Sequence, residues 1–239
     1  MVALPAGISD RVTDSVFRGL SSPGTWWSGA QRVQVAREAR SAKSCALCAE
    51  RRAALSAASV AGNHAASDLL PPTAVDVVHR IVTDPGRLTE DWYRAATGDG
   101  GLTIEEFVEI VAVVSCLTVA DTLHLALGEE LRPLPAPEAG EPSQEAGDPA
   151  SETIAWVPTV DPADATGSTL KAYAMPLERF GRVPNVITAL SAVTRARADW
   201  GRAFYTALSA TTDADGERLT EGQLQLVASA TSAANDCFY

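Results

Sequence analysis

The stretch LTIEEFVEIVAVVSCLTVADTLHLALG, residues 102–128, constrains the fold of this chain more than any other. Thr103 is followed three residues later by Glu106. That is capping-box spacing, in which the hydroxyl and the carboxylate satisfy each other's otherwise unpaired backbone donors. Phe107, Ile110, Val111, Val114, Leu117 and Thr118 then recur at i, i+3 and i+4. This is the period of an amphipathic helix whose apolar stripe must be buried against partners. Gly128 supplies a stop, because glycine adopts the left-handed conformation that ends helices.

The rest of the chain offers further helices. QRVQVAREARSAKSCALCAERRAALSAASV runs thirty residues without a proline. RLTEDWYRAAT has Thr89 as an N-cap, with Glu90 and Asp91 in the first turn, where the helix dipole favours acidic groups. VPNVITALSAVTRARADWGRAFYTALSA reads as one or two helices, and RLTEGQLQLVASATSAANDCFY opens on Thr220 with Gln223 three residues on. Aromatic residues make up 6% of the chain, and small Ala and Val side chains, suited to closely packed helices, are abundant. The expected fold class is all-α. Between the two helical regions lies GEELRPLPAPEAGEPSQEAGDPASE, with Pro133, Pro135, Pro137, Pro142 and Pro149 among acidic residues. Proline removes helix donors and like charges repel, so an extended linker is expected. The predicted organisation is a helical module over 1–128, a linker over 129–152 and a second region over 153–239.

The net charge is −11 with a pI near 4.7. An acidic surface repels phosphate backbones and anionic bilayers, which argues against nucleic-acid and membrane partners. The start, MVALPAGISDRVTDSV, has neither the basic nor the apolar region of a targeting segment. The apolar run Ile110–Ala120 falls far short of the ~20 residues a membrane helix needs. A cytoplasmic location is the default expectation.

Of the four cysteines, Cys45 and Cys48 form a C-x-x-C, while Cys116 and Cys237 stand apart. The tight spacing lets two sulfurs meet as a disulfide, and a helix start lowers a thiol pKa. Lys43, Arg51 and Arg52 are placed to stabilise a thiolate. A redox dithiol, two buried structural cysteines and a metal site are all compatible with the spacing. Zinc is the least favoured, since there is no second C-x-x-C and His64, His79 and His124 are scattered in sequence. Cys116 reads as a buried small apolar residue. Asp121 and His124 read as a surface pair or cap, and His79, Arg80 and Asp84 as helix-end packing. Trp26, Trp27, Trp92 and Trp200 read as core or interface anchors.

The order of a C-x-x-C helix, then VHRIVTDPGRLTEDWYRAATGDGGLTIEEFVEIVAVVSCLTVADTLHLALG, resembles the alkylhydroperoxidase D / carboxymuconolactone decarboxylase family, particularly its peroxidase-related members. The resemblance covers about residues 30–130. A partial second copy is suggested by VPNVITALS and LTEGQLQLVASATSAANDCFY. The resemblance implies an all-helical homo-oligomer of tandem modules that reduces hydroperoxides or disulfides with no bound cofactor or metal. A partner dithiol protein would restore it. Cys48 would attack, Cys45 would resolve, and Cys237 would begin a second site. The runner-up is a non-catalytic helical binding or oligomeric scaffold of the same family. Arg52 stands where the family has a relay histidine, and Val33 where it has a glutamate, with Glu38 out of register. Gln225 holds the glutamate position of the second copy, so the relay pattern is incomplete in both.

The sequence ends at Tyr239, one residue short of the cysteine that would complete C-x-x-C after Cys237. A genuine stop or frameshift, a fragment, and a UGA codon read as selenocysteine each account for this. A truncated final module is expected to leave an apolar helix face uncovered and to favour association.

Overall fold

The computed structural model describes residues 7–65, 67–145, 147–154, 156–209 and 219–234. The capped segment forms the longest helix, α6 (Ile104–Leu127), and the rest of the fold is arranged around it. Thr103 Oγ1 accepts the Glu106 N–H at 3.1 Å, and Glu106 Oε2 accepts the Thr103 N–H at 2.8 Å. Gly128 closes the other end in the left-handed conformation, with φ 71°. Thr103→Ala removes the hydroxyl half of this box and is expected to cost about 1 kcal/mol, read as a shift in denaturant midpoint at constant slope.

The helix differs from the amphipathic pattern in one respect. Val108, Ala112 and Val113 are buried along with Phe107, Ile110, Val114 and Leu117, so α6 is covered on several faces. By length and composition it would also suffice to cross a membrane. In this fold it is the central helix, packed by α1 (Ile8–Ser21), α2 (Gly29–Ala42), α4 (Pro72–Thr83) and α9 (Thr194–Ser209). Its two buried carboxylates, Glu109 and Asp121, are paired with Arg32 and Arg40.

The thirty-residue proline-free run is not one helix. α2 ends at Ala42, a turn follows, and Cys45 is the N-cap of a separate helix, α3 (Ala46–Ala53). Two 3₁₀ turns, Ala57–Ser59 and Pro85–Arg87, and the short α5 (Glu90–Thr97) complete this part of the chain. Thr89 caps α5, with Oγ1 accepting the Trp92 N–H at 3.2 Å.

Among its described residues the proline-rich segment has no helix or strand between Glu129 and Ser151. It lies against the α1–α2 turn, with the N–H groups of Glu138, Ser143 and Gln144 donating to the carbonyls of Ser21, Gly24 and Thr25. Beyond it come a short antiparallel hairpin, β1 (Glu152–Ile154) and β2 (Val157–Thr159), then α7 (Gly167–Phe180), α8 (Asn185–Ala189), α9 and α10 (Glu221–Ala234). The hairpin is the one departure from all-α structure among the described residues. Val160, Ala165, Tyr173 and Val183 make a small core under it. α9 joins the main core: Ala203 is part of that cluster, while Ala196, with Val193 just before the helix, clusters with Val108 and Ala112 of α6. α10 exposes Leu226 and Val227.

Candidate functional site

The break after α2 gives Cys45 and Cys48 different surroundings. Cys45 sits at the mouth of α3, half-buried, and Cys48 lies one turn further in, 3% exposed. Both are thiols in this structure. Burial pushes the Cys48 thiol up to about 11, with a Thr83 hydrogen bond opposing and the Cys45 sulfur adding to the rise.

Two histidines converge on these sulfurs. His79, on α4, places Nδ1 3.3 Å from Cys48 Sγ, and its Nε2 lies 3.1 Å from Glu38 Oε2 on α2. His64, from the loop between α3 and α4, places Nδ1 3.5 Å from Cys45 Sγ, and its Nε2 lies 3.2 Å from Asp76 Oδ1 on α4. A carboxylate accepts, so in His79 the proton belongs on Nε2 and the Nδ1 lone pair faces sulfur. His64 Nε2, by contrast, meets both Asp76 Oδ1 and the donor Arg51 Nη1, the latter at 3.4 Å. The two imidazoles lie 4.0 Å apart, centre to centre. Burial, and then the neighbouring His79, hold the His64 pKa below its ordinary value.

These positions follow from the fold. Packing of α2 and α4 on each other and on α6 puts Glu38 opposite His79. Gln34 donates to the free oxygen of Glu38 at 2.8 Å, and Thr83 Oγ1 donates to the His79 carbonyl at 2.8 Å. Arg51 ties down the loop that carries His64. Its Nη1 donates to Asp76 Oδ1 at 2.6 Å, and its Nη2 donates to the Gly62 carbonyl at 3.3 Å. Arg87 donates to the Ala54, Arg51 and Arg52 carbonyls, holding the C-terminal end of α3. A cleft of about 560 Å³ opens beside the cluster, lined by Arg51, His64, Pro72, Asp76, Trp92 and Ala96.

Several expectations need correction. His64 and His79 come from a loop and from α4 but meet at the dithiol, so their scatter is no argument against a shared site. His79 is not helix-end packing, although its neighbours Arg80 and Asp84 do pair with each other, and Asp84 with Arg87. Val33 is buried on α2 and Arg52 exposed on α3. The histidine and carboxylate beside Cys48 are His79 on α4 and Glu38, about one and a half turns beyond Val33 on α2. Asp121 and His124 are not a surface pair. Both are buried, Asp121 against Arg40 and His124 against Thr13 and Glu129. Cys116 is buried in the main core, where burial pushes its thiol up to about 12. Trp27 is a core anchor and donates to the Glu106 carbonyl, while Trp26, Trp92 and Trp200 pack partly buried against the core. Cys237 lies outside the described residues.

No protein-family model, curated protein or solved structure matches this chain. A functional reading therefore rests on the side chains of the site itself.

Proposed function

We propose that the protein is a thiol-dependent oxidoreductase of the alkylhydroperoxidase kind, which reduces a hydroperoxide with the Cys45–Cys48 dithiol. The observation that carries this is the line Cys48–His79–Glu38, a thiol, a base and an orienting carboxylate at 3.3 and 3.1 Å, with a second thiol one helical turn away. A nucleophile bonded to a base that is itself held by a third group is the usual arrangement for activating a thiol.

In this scheme His79 Nδ1 takes the Cys48 proton. The thiolate attacks the terminal peroxide oxygen, and the O–O bond breaks. The alkoxide leaves and takes the proton back from His79 as the alcohol. Cys48 is then a sulfenic acid. The Cys45 sulfur attacks the Cys48 sulfur, the S–O bond breaks, and the proton given up by Cys45 leaves with the hydroxide as water. The two electrons taken by the peroxide come from the pair of sulfurs, now a disulfide, which an external dithiol protein reduces by exchange. The cleft beside His64 gives a small hydroperoxide room close to the pair. The acidic composition suits a soluble cytoplasmic protein.

The test is peroxide consumption by the reduced, metal-free full chain with an added dithiol reductant. Cys48→Ser is expected to bring the rate to background. With the reductant removed, Cys45→Ser is expected to consume one equivalent of peroxide and stop, with a sulfenic acid trapped at Cys48. A wild-type protein that forms no Cys45–Cys48 disulfide with hydroperoxide would overturn the reading in favour of the scaffold alternative.

A further inference from the structure

The redox scheme uses one histidine. It leaves open why a second, His64, is brought from a separate loop to the other sulfur and is furnished with its own carboxylate. The ligating atoms of Cys45, Cys48, His64 and His79 all lie within 4.8 Å of one another. We propose that these four side chains form a tetrahedral site for a divalent d¹⁰ cation, Zn²⁺.

The dimensions fit. With Zn–S near 2.3 Å and Zn–N near 2.0–2.1 Å, a tetrahedron has S–N edges of about 3.5 Å. The sulfur-to-Nδ1 separations here are 3.3 and 3.5 Å. A donor set of two thiolates and two imidazoles is the one that zinc favours. Two thiolates also neutralise the cation, so the complex places no net charge in a site where Cys48 and His79 are buried.

The surrounding groups point the same way. A zinc-bound imidazole typically gives its other N–H to a carboxylate, which fixes the ring and raises its basicity. His79 does so to Glu38, and His64 Nε2 lies 3.2 Å from Asp76 Oδ1, with Arg51 Nη1 at 3.4 Å from the same nitrogen. Arg51 in turn holds Asp76, and Trp92 Nε1 lies 3.5 Å from its other oxygen. A single Cys–His couple for redox chemistry does not need this doubled arrangement. A four-ligand site does, since every ligand must be aimed at one point.

The proposal is independent of the redox reading, although both employ the same sulfurs. A chain holding zinc through Cys45 and Cys48 has no free dithiol until the cation leaves.

The experiment uses the full chain, reduced and stripped with a chelator. Zn²⁺ alone is added against a chromophoric competitor, and Co²⁺ alone as a spectroscopic probe. The expected result is one equivalent per chain. Cobalt should show the intense visible bands of a tetrahedral ion and thiolate-to-metal charge transfer. His64→Ala and Cys48→Ser should abolish the charge-balanced four-ligand spectrum. Asp76→Asn retains all four ligands and is measured beside them, so a poorly folded ligand variant does not decide the matter. It should weaken zinc about 10–100-fold at unchanged stoichiometry. Substoichiometric binding, an octahedral cobalt spectrum, or zinc affinity indifferent to both Asp76→Asn and His64→Ala would overturn the proposal. Zinc binding without peroxide consumption would remove the redox reading and leave this one standing. Peroxide consumption without zinc binding would do the reverse.

Discussion

Arg32→Met is expected to lower the free energy of unfolding by about 3–5 kcal/mol, the usual cost of leaving a buried charge without its partner. Arg32 lies between α1, α6 and α9. Its Nη1 pairs with Glu109 Oε1, while Nη2 donates to Asp199 Oδ2 at 2.9 Å and to the Gly19 carbonyl at 3.0 Å. The two acids would not suffer equally. Asp199 also meets Arg195 and Arg202, whereas Glu109, fully buried, would retain the Trp26 N–H at 2.7 Å. Glu109 is therefore the stranded group. The loop after α1 depends on it as well, for a Cβ at Gly24 would run into the Glu109 and Arg32 side chains. Equilibrium denaturation of Arg32→Met, Glu109→Leu and the double variant checks this. The double variant should recover much of the single loss, since an apolar replacement of a whole buried pair is often neutral. A loss below about 1 kcal/mol in Arg32→Met would show that Glu109 finds water or a proton instead. The assignment matters beyond stability, because this pairing joins α9, from beyond the proline-rich segment, to α1, α2 and α6.

What could be read from the sequence was what local chemistry decides. Thr103 with Glu106, Thr89 and Gly128 mark helix ends through bonds between near neighbours, and each does so in the structure. The helix break at Cys45 was harder to see, since Ser41 to Ser44 contain no proline or glycine; the turn is closed by backbone bonds from Ser44 to Ser41 and from Cys45 to Ala42. α7 carries Pro176 inside it, and the hairpin has strands of three residues with Trp156 at φ 69° between them, so neither announces itself by period. The C-x-x-C was legible, but its partners were not. His64 and His79 share no helical spacing with Cys45 or Cys48; the packing of α4 on α2 and α3 brings in His79, and the Arg51-held loop before α4 brings in His64. One signal was present: two cysteines and two histidines fall within residues 45–79, a window compact enough for a four-ligand set. The register positions Arg52 and Val33 assume one continuous helix, but they fall on α3 and α2, and the groups that meet at Cys48 come from α2, α3 and α4.

His79→Asn is expected to slow peroxide reduction by the metal-free protein about 10²–10⁴-fold, the range associated with loss of a positioned proton-transfer group. Each tenfold corresponds to about 1.4 kcal/mol of barrier. Glu38 touches the imidazole and not the sulfur, so it is a positioning residue, and Glu38→Gln should cost less. The glutamine oxygen still accepts the His79 N–H and keeps the ring oriented, while the carboxylate charge is gone. Single-turnover peroxide reduction and the rate of Cys48 alkylation, measured on the same samples, separate base catalysis from mere support. Loss of the base should depress both rates together, whereas a packing defect should show as a lowered unfolding midpoint and, by loosening the site, faster alkylation. The result also bears on the cation site, because His79 is one of its four ligands. A variant that keeps the full peroxide rate but no longer holds zinc would make His79 a ligand alone and move the search for the base to His64, whose Nδ1 faces the more exposed sulfur at 3.5 Å.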